Sequence, residues 1–463
     1  MTTTQQIRHL YGRAGFGWSP KEWTLAKTAS LSDALERLFA PNQIQVLQTP
    51  PIAQVSRNMN GEQKKEVRTL QHKSLNKQKA AWIGRMANPQ ENTLLERMSL
   101  FWHGHFACIS QRPLLAVQQI NTIRQHALGS FRHLLLAIAK DAAMIRFLNN
   151  QQNRKENPNE NFAREVLELF TIGRGNYTEQ DIKEAARAFT GWASNNRGEF
   201  VFRKWAHDEG DKTFFGKTGN WNGDDIIDLI LERKETALFL TRKIYRYFIN
   251  PKVDEDRVYQ LAKSFYQSNY DIGNLMRQIF ESEWFYAPEN IGVKIKSPVD
   301  LMTGIIRTLD ADFPSPAPLI RLQRLLGQEL FNPPNVAGWK GNQNWIDHAT
   351  LMMRLNVANH FVSLSRKEQG KYRTEAVEEM MQEMKQENFS NEGKVYLTFE
   401  PIVKALADKD ADEIFEELSE YLLSTKPSLL RNDIEPFVLK KSRSQYVQSM
   451  MLRLMSLPEY QMC

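Results

Sequence analysis

The sequence predicts a mainly α-helical protein: a multi-helical globular body with at most a small β-hairpin near residues 200–215. Three observations predict it. Helix-start signals recur from end to end, apolar residues repeat at three- and four-residue spacing, and strand-like alternation is scarce. With 41% hydrophobic and 25% charged residues in a chain of 463, the composition is that of a globular protein with a large core.

Taken in order, Ser19-Pro20-Lys21-Glu22 joins an N-cap serine, a proline in the first turn and a returning glutamate. Residues 42–60, with Pro50-Pro51 inside them, read as a loop. Thr93-Leu94-Leu95-Glu96 reads as a second capping box, opening a helix towards Phe106. A single helix over 131–148 would put Asp141 on an apolar face, whereas two shorter helices make Asp141 an N-cap, and the second is preferred. Thr178 and Asp181 form a box with the shorter acid, followed by the apolar stripe Ile182, Ala185, Ala186, Phe189 and Trp192. Phe200, Phe202 and the turn-rich stretch to Phe215 supply the hairpin. Ser297-Pro298 starts a helix through Leu309. No fixed-period repeat is present. The expected division is a helical main domain over 1–365, a charged linker or exposed helix over 366–398, and a C-terminal helical segment over 399–463 packed on the main domain.

Composition limits function. The 60 basic and 54 acidic residues leave a net charge of +6, and basic residues mostly alternate with acidic ones, so no stripe for nucleic acid is expected. Two distant cysteines, Cys108 and Cys463, make neither a disulfide framework nor a zinc site. Residues 1–13 carry no apolar export signal and no run is long enough to span a bilayer, so the expectation is a cytoplasmic protein without a membrane span.

Polar residues on apolar helix faces nominate a site. His105 falls among Leu94, Met98, Phe101 and Trp102, while His103 points the other way beside Glu96 and Ser99. On a helix the two histidines diverge, so they are not expected to share an ion. For His105 alone, a hydrogen-bonded core histidine outweighs a ligand or base by about two to one. Glu165 lies within the stripe of Phe162, Val166, Leu169 and Ile172, and Glu168 borders it. A buried carboxylate must be paired, metal-bound or protonated. An ion pair with Arg97, Arg146 or Arg187 stands at about even odds with a functional carboxylate. Gly173-Arg174-Gly175 follows a helix, so helix capping by Gly173 explains it better than phosphate binding. His207-Asp208, close to Lys212, sits in a turn-like segment, where a turn stabilised by Asp208 is the commoner explanation and a loop-borne site the sharper one. Asn332 to Trp345, with Trp339 at its centre, is a rigid aromatic loop that either lines a pocket or simply packs a long connection.

These stretches, in this order, resemble the bacterial domain-of-unknown-function family numbered eighteen hundred. The carriers are Tyr11-Gly12-Arg13-Ala14-Gly15-Phe16-Gly17, Glu96-Arg97-Met98, Phe101 to Phe106, Pro158 to Thr171, Tyr177 to Trp192, His207-Asp208, Lys296-Ser297-Pro298, Gly327-Gln328 and the loop from Pro333 to Trp345. The resemblance spans nearly the whole chain and implies no established reaction or cofactor. It implies relatives that are often exported and encoded beside a protein of the alkaline phosphatase–sulfatase type. Ala142 and Asp300 stand where the resemblance leads one to expect proline and glutamate.

The leading expectation is a hydrolase with a buried His/carboxylate site acting on a small-molecule or polymer substrate. Glu165 and Glu168 would serve as bases or ligands and His105 as ligand or acid, with a divalent metal as the cofactor this set allows. Glu160, His207 and Asp208 would complete the shell, and Arg164 or Arg187 would orient a carboxylate. A di-iron version lacks its Glu-x-x-His pairs. The rival is a non-catalytic binding or assembly protein, accessory to the neighbour-encoded enzyme, in which these residues form an internal ion-pair network.

Overall fold

The computed structural model describes residues 2–41, 43–51, 55, 58–365 and 395–463. The charged stretch 366–394, most of the expected linker, lies outside the described residues. Helix accounts for 62% of the chain, and the described β-structure is two small antiparallel pairs. Trp192–Ser194 pairs with Phe200–Phe202 and Lys212–Phe214 with Lys217–Gly219. The expected single hairpin is thus two, one on each side of the turn that carries His207. No helix among the described residues is long and apolar enough to cross a membrane.

Capping explains most boundaries. Ser19 with Glu22, Thr178 with Asp181 and Ser297 with Asp300 all form reciprocal boxes. Asp141 caps the helix Ala142–Phe147 by accepting from the Met144 amide, which separates it from Phe131–Ala139. The box expected at Thr93 does not form. Asn92 is the N-cap of Thr93–His105 and accepts from Leu95; as the residue before it, Asn92 competes for the same free amides. Glu96 is released from capping and turns inward, where the Arg124 guanidinium and the Trp82 indole donate to it.

The helix Thr93–His105 is the centre of the molecule, with every residue but Gly104 buried. Helices Gly61–Ala87 and Pro113–His126 pack against it, so its two faces are both interior and the inside/outside contrast between His105 and His103 vanishes. One continuous core runs from Ile7 to Tyr460 and includes residues of the C-terminal segment such as Leu418, Tyr421 and Met450.

Two local features bring the chain ends together. After the helix Thr3–Ala14 the backbone passes so close to the central helix that a Cβ on Gly15 would stand 2.4 Å from Thr93 Oγ1. At the other end, Met462 bridges antiparallel to Ile295, with the Cys463 amide donating to the Lys294 carbonyl and the Lys296 amide to Gln461. This bridge sets Lys294, Lys296 and Cys463 beside the N-terminal helix, immediately before the helix Pro298–Leu309.

Candidate functional site

The residues nominated from sequence occupy three separate places. His105 donates from Nε2 to the Phe170 carbonyl at 3.0 Å. The acceptor exists because Val166–Thr171 is a π-turn, whose wider winding releases carbonyls from the α-helical pattern. Leu169 is another, taken by Lys243 Nζ at 3.2 Å. Burial and the charge of Lys243 hold the His105 imidazole well below its ordinary range, so it is neutral. Its position is that of a cap on irregular backbone.

Glu168 is committed to Arg174 and to the Tyr177 hydroxyl. Glu165 is half-buried, and its carboxylate forms no ion pair or hydrogen bond among the described residues; burial and then the charge of Glu168 raise its carboxyl above the usual range. None of the three arginines considered for it arrives: Arg97 binds Asp300, Arg146 binds Ser194 and Asn195, and Arg187 binds Asp208 and Glu184. Arg164 bridges Glu160 and Glu179 at the surface. Gly173 closes the π-turn by donating to Leu167. Among the described residues no three His, Cys, Asp or Glu are placed to hold a metal ion, so the set His105, Glu165 and Glu168 does not fit one.

His207 stands elsewhere, its Nδ1 donating to the Thr190 carbonyl at 2.9 Å. Asp208 would be raised by burial, but the paired nitrogens of Arg187 and the Gly210 amide bring it below its ordinary value. Lys212 is fully buried and ties the turn by donating to the Asp208 and Gly210 carbonyls. The turn is internally satisfied, as the plainer reading of Asp208 expects. Trp339 packs its ring 5.6 Å from His103, and the tight approach of Gly338 to Gly104 presses the aromatic loop against the central helix.

A different cluster stands out by its charge. Arg13, Arg97, Lys294 and Arg354 are all at most 5% exposed; Arg97 lines a cavity of about 50 Å³ with half-buried Arg8 and Lys296, and the other three are electrostatic neighbours of its lining residues. Asp300 is the carboxylate side chain that lines the cavity. It binds Arg97 Nη1 and accepts the Ser297 amide. Much of the donor capacity is unspent: Arg97 Nε and Nη2, Arg13 Nε and Nη1, Arg8 Nε and Lys294 Nζ have no hydrogen-bond partner among the described residues. Buried donors without acceptors are costly, and buried charge more so. Desolvation and the neighbouring Arg97 lower the Lys294 ammonium to about 7, and desolvation lowers Lys296 to about 8. Arg97 lies over the rings of Phe16 and Tyr247, which fix its plane. The remaining walls include Gly12, Gly17, Trp18, Tyr421 and Tyr460.

Two wider surface grooves, of about 460 and 700 Å³, lack this imbalance: Glu22 in the first is held by Arg307, and Asp141 in the second caps a helix. The cationic cavity was missed in the sequence although half of it was visible. The helical projection that places His105 inside the apolar face sets Arg97 at its edge, beyond Phe101. Lys294 and Lys296 gave no such sign, because a bridge to the far end of the chain brings them in.

A family model described as a protein of unknown function, DUF1800, matches residues 9–462. No curated protein and no solved structure matches the chain.

Proposed function

The chain belongs to the DUF1800 family, whose function is unassigned, and on the geometry above we propose that it binds a ligand through an oxyanion held in the cavity lined by Arg8, Arg97 and Lys296. The observation that carries this reading is Arg97. Asp300 engages one end of its guanidinium, and Nε and Nη2, which share an edge, are left without partners at a residue 1% exposed. That edge is the fork with which arginine grips carboxylate, sulfate or phosphate through two parallel bonds. An oxyanion there would supply acceptors to donors that otherwise have none. The reading is the binding alternative of the two functional classes. In its accessory form, the ligand would be passed to or from an enzyme of the alkaline phosphatase–sulfatase type.

Thermal unfolding with acetate, sulfate and phosphate at matched ionic strength tests it. The midpoint should rise with at least one of these ions beyond a chloride control, and less in Arg8→Met. Equal midpoints in all four salts would count decisively against an oxyanion site.

A second reading keeps hydrolysis, favoured by Glu165, a half-buried carboxyl with no partner among the described residues and a raised affinity for its proton. Such a group is poised for general acid or base work. Loss of a hydrolytic activity in folded Glu165→Gln would support it; activity retained in that variant would remove it.

A further inference from the structure

We infer that the cavity takes a doubly charged tetrahedral oxyanion, inorganic phosphate or the head group of a phosphate monoester, in preference to a singly charged one. The inference rests on the oxyanion reading and adds the ligand's charge and size.

Charge comes first. Arg8, Arg97 and Lys296 line the cavity and Arg13 and Lys294 lie beside it, and the groups whose charge opposes theirs are Asp300, Cys463 and, beside Arg8, Glu420. Even with one lysine neutral, a positive charge remains uncompensated. Coulomb energy in a site shielded from water scales with the product of charges and is large at short range. The attraction on a dianion is therefore about twice that on a monoanion of the same shape.

Size comes second. A cavity of about 50 Å³ has room for a few water molecules, which suits a compact head group and excludes a large one. The backbone at Gly12 and Gly17 forms part of its wall, and a Cβ on Gly17 would meet nothing within 4 Å, so the space beside this glycine is open to an ion. The rings of Phe16, Trp18 and Tyr421 flank it. An ester's organic part would lie against them, where an apolar body is favoured and a second charge is not.

Donor geometry comes third. The Arg97 edge binds two oxygens of one ion, and Arg8, whose Nε has no partner among the described residues, lines the same cavity from the helix Thr3–Ala14. Donors on different elements suit a tetrahedral ion, whose oxygens point in four directions, better than a planar carboxylate.

Isothermal titration calorimetry at neutral pH and fixed ionic strength tests the inference with five probes: inorganic phosphate, methyl phosphate, inorganic sulfate, dimethyl phosphate and methyl sulfate. Sulfate is wholly doubly charged there, methyl phosphate largely and inorganic phosphate in part, and the last two are singly charged. The expected result is binding of the dianions at least about tenfold tighter than the monoanions. Methyl phosphate tighter than phosphate assigns a monoester; the reverse assigns the free ion; either supports the charge selection. Monoanions within about twofold of the dianions would overturn the inference and leave the oxyanion reading standing. Failure of all five would overturn both. Arg8→Met, a change at a half-buried side chain, should weaken phosphate by about tenfold; unchanged affinity in a folded variant would put the ion elsewhere and overturn the assignment.

Discussion

Arg97 and Asp300, 203 residues apart in sequence, meet in the interior with Asp300 on one nitrogen of the guanidinium and the opposite edge unused. The pair is 1% and 5% exposed, so neither charge is screened by water. Asp300→Asn removes the negative partner and leaves Arg97 charged and buried. Deleting one side of a buried pair costs about 3–5 kcal/mol. Urea denaturation at neutral pH should show a loss of that size, and sulfate should restore more stability to the variant than to the parent. A loss under about 1 kcal/mol would mean that Arg97 finds other compensation and that the pair is not the anchor of the cluster.

The two lysines give the site a pH signature. Lys294 at about 7 and Lys296 at about 8 are charged below these values and neutral above them. Sulfate keeps its double charge throughout the neutral range, so it reports on the protein alone. Its affinity should fall as pH rises through 7 to 8, with proton uptake on binding visible as a dependence of the calorimetric heat on the buffer. Stability without ligand runs the other way. Both folded values lie below the ordinary lysine value, so above them the unfolded chain binds more protons than the folded one, and stability rises with pH from about 7 towards the unfolded lysine value. A sulfate affinity that is flat across this window would remove the lysines from the site.

Legibility in the sequence followed locality. The caps at Ser19, Thr178 and Ser297 are closed by hydrogen bonds three residues long, and a reading of neighbours finds them. Thr93 failed by one residue because Asn92 offers the same chemistry. The division of the helices around Asp141 was readable from burial alone. His105 was rightly placed inside, but its partner, a carbonyl released by a π-turn 65 residues on, depends on a backbone irregularity that residue spacing does not reveal. Arg97 was readable as a cation at the edge of an apolar face. The meaning of that cation needed Lys294, Lys296 and Asp300, which only the tertiary bridge at Ile295 and Met462 assembles.

Glu165 separates structural from functional carboxylates. It gains no ion pair in the fold, and burial followed by repulsion from Glu168 raises its affinity for a proton. The folded-state value lies above the unfolded one, so its ionisation weakens the fold as pH rises past the ordinary glutamate range. Glu165→Gln removes that repulsion at similar volume. Chemical denaturation at neutral pH should show stability unchanged within about 1 kcal/mol or slightly raised. A loss of several kcal/mol would reveal a buried ionic partner and return Glu165 to the structural class.

Gly338 carries the contact between the aromatic loop and the central helix. Its φ is +76°, and a Cβ built there would stand 2.3 Å from the Gly104 carbonyl oxygen. Both facts oppose a side chain: the backbone conformation disfavours any L-residue, and the clash is with main chain that cannot swing aside. Gly338→Ala must therefore lift the loop, which carries Trp339 away from His103. The expected cost is about 2–3 kcal/mol, the strain of the backbone conformation and the lost packing together. Tryptophan fluorescence should shift to the red as Trp339, already half-exposed, gains water. The Gly17→Ala change is the control: its φ is +82° but no atom lies within 4 Å of the added carbon, so backbone strain acts there without the clash and the cost should be smaller, on the order of 1 kcal/mol. Equal costs at the two positions would show that backbone strain dominates and that the Gly104 contact contributes little; a larger cost at Gly338 isolates the close approach as the element that holds the loop on the central helix.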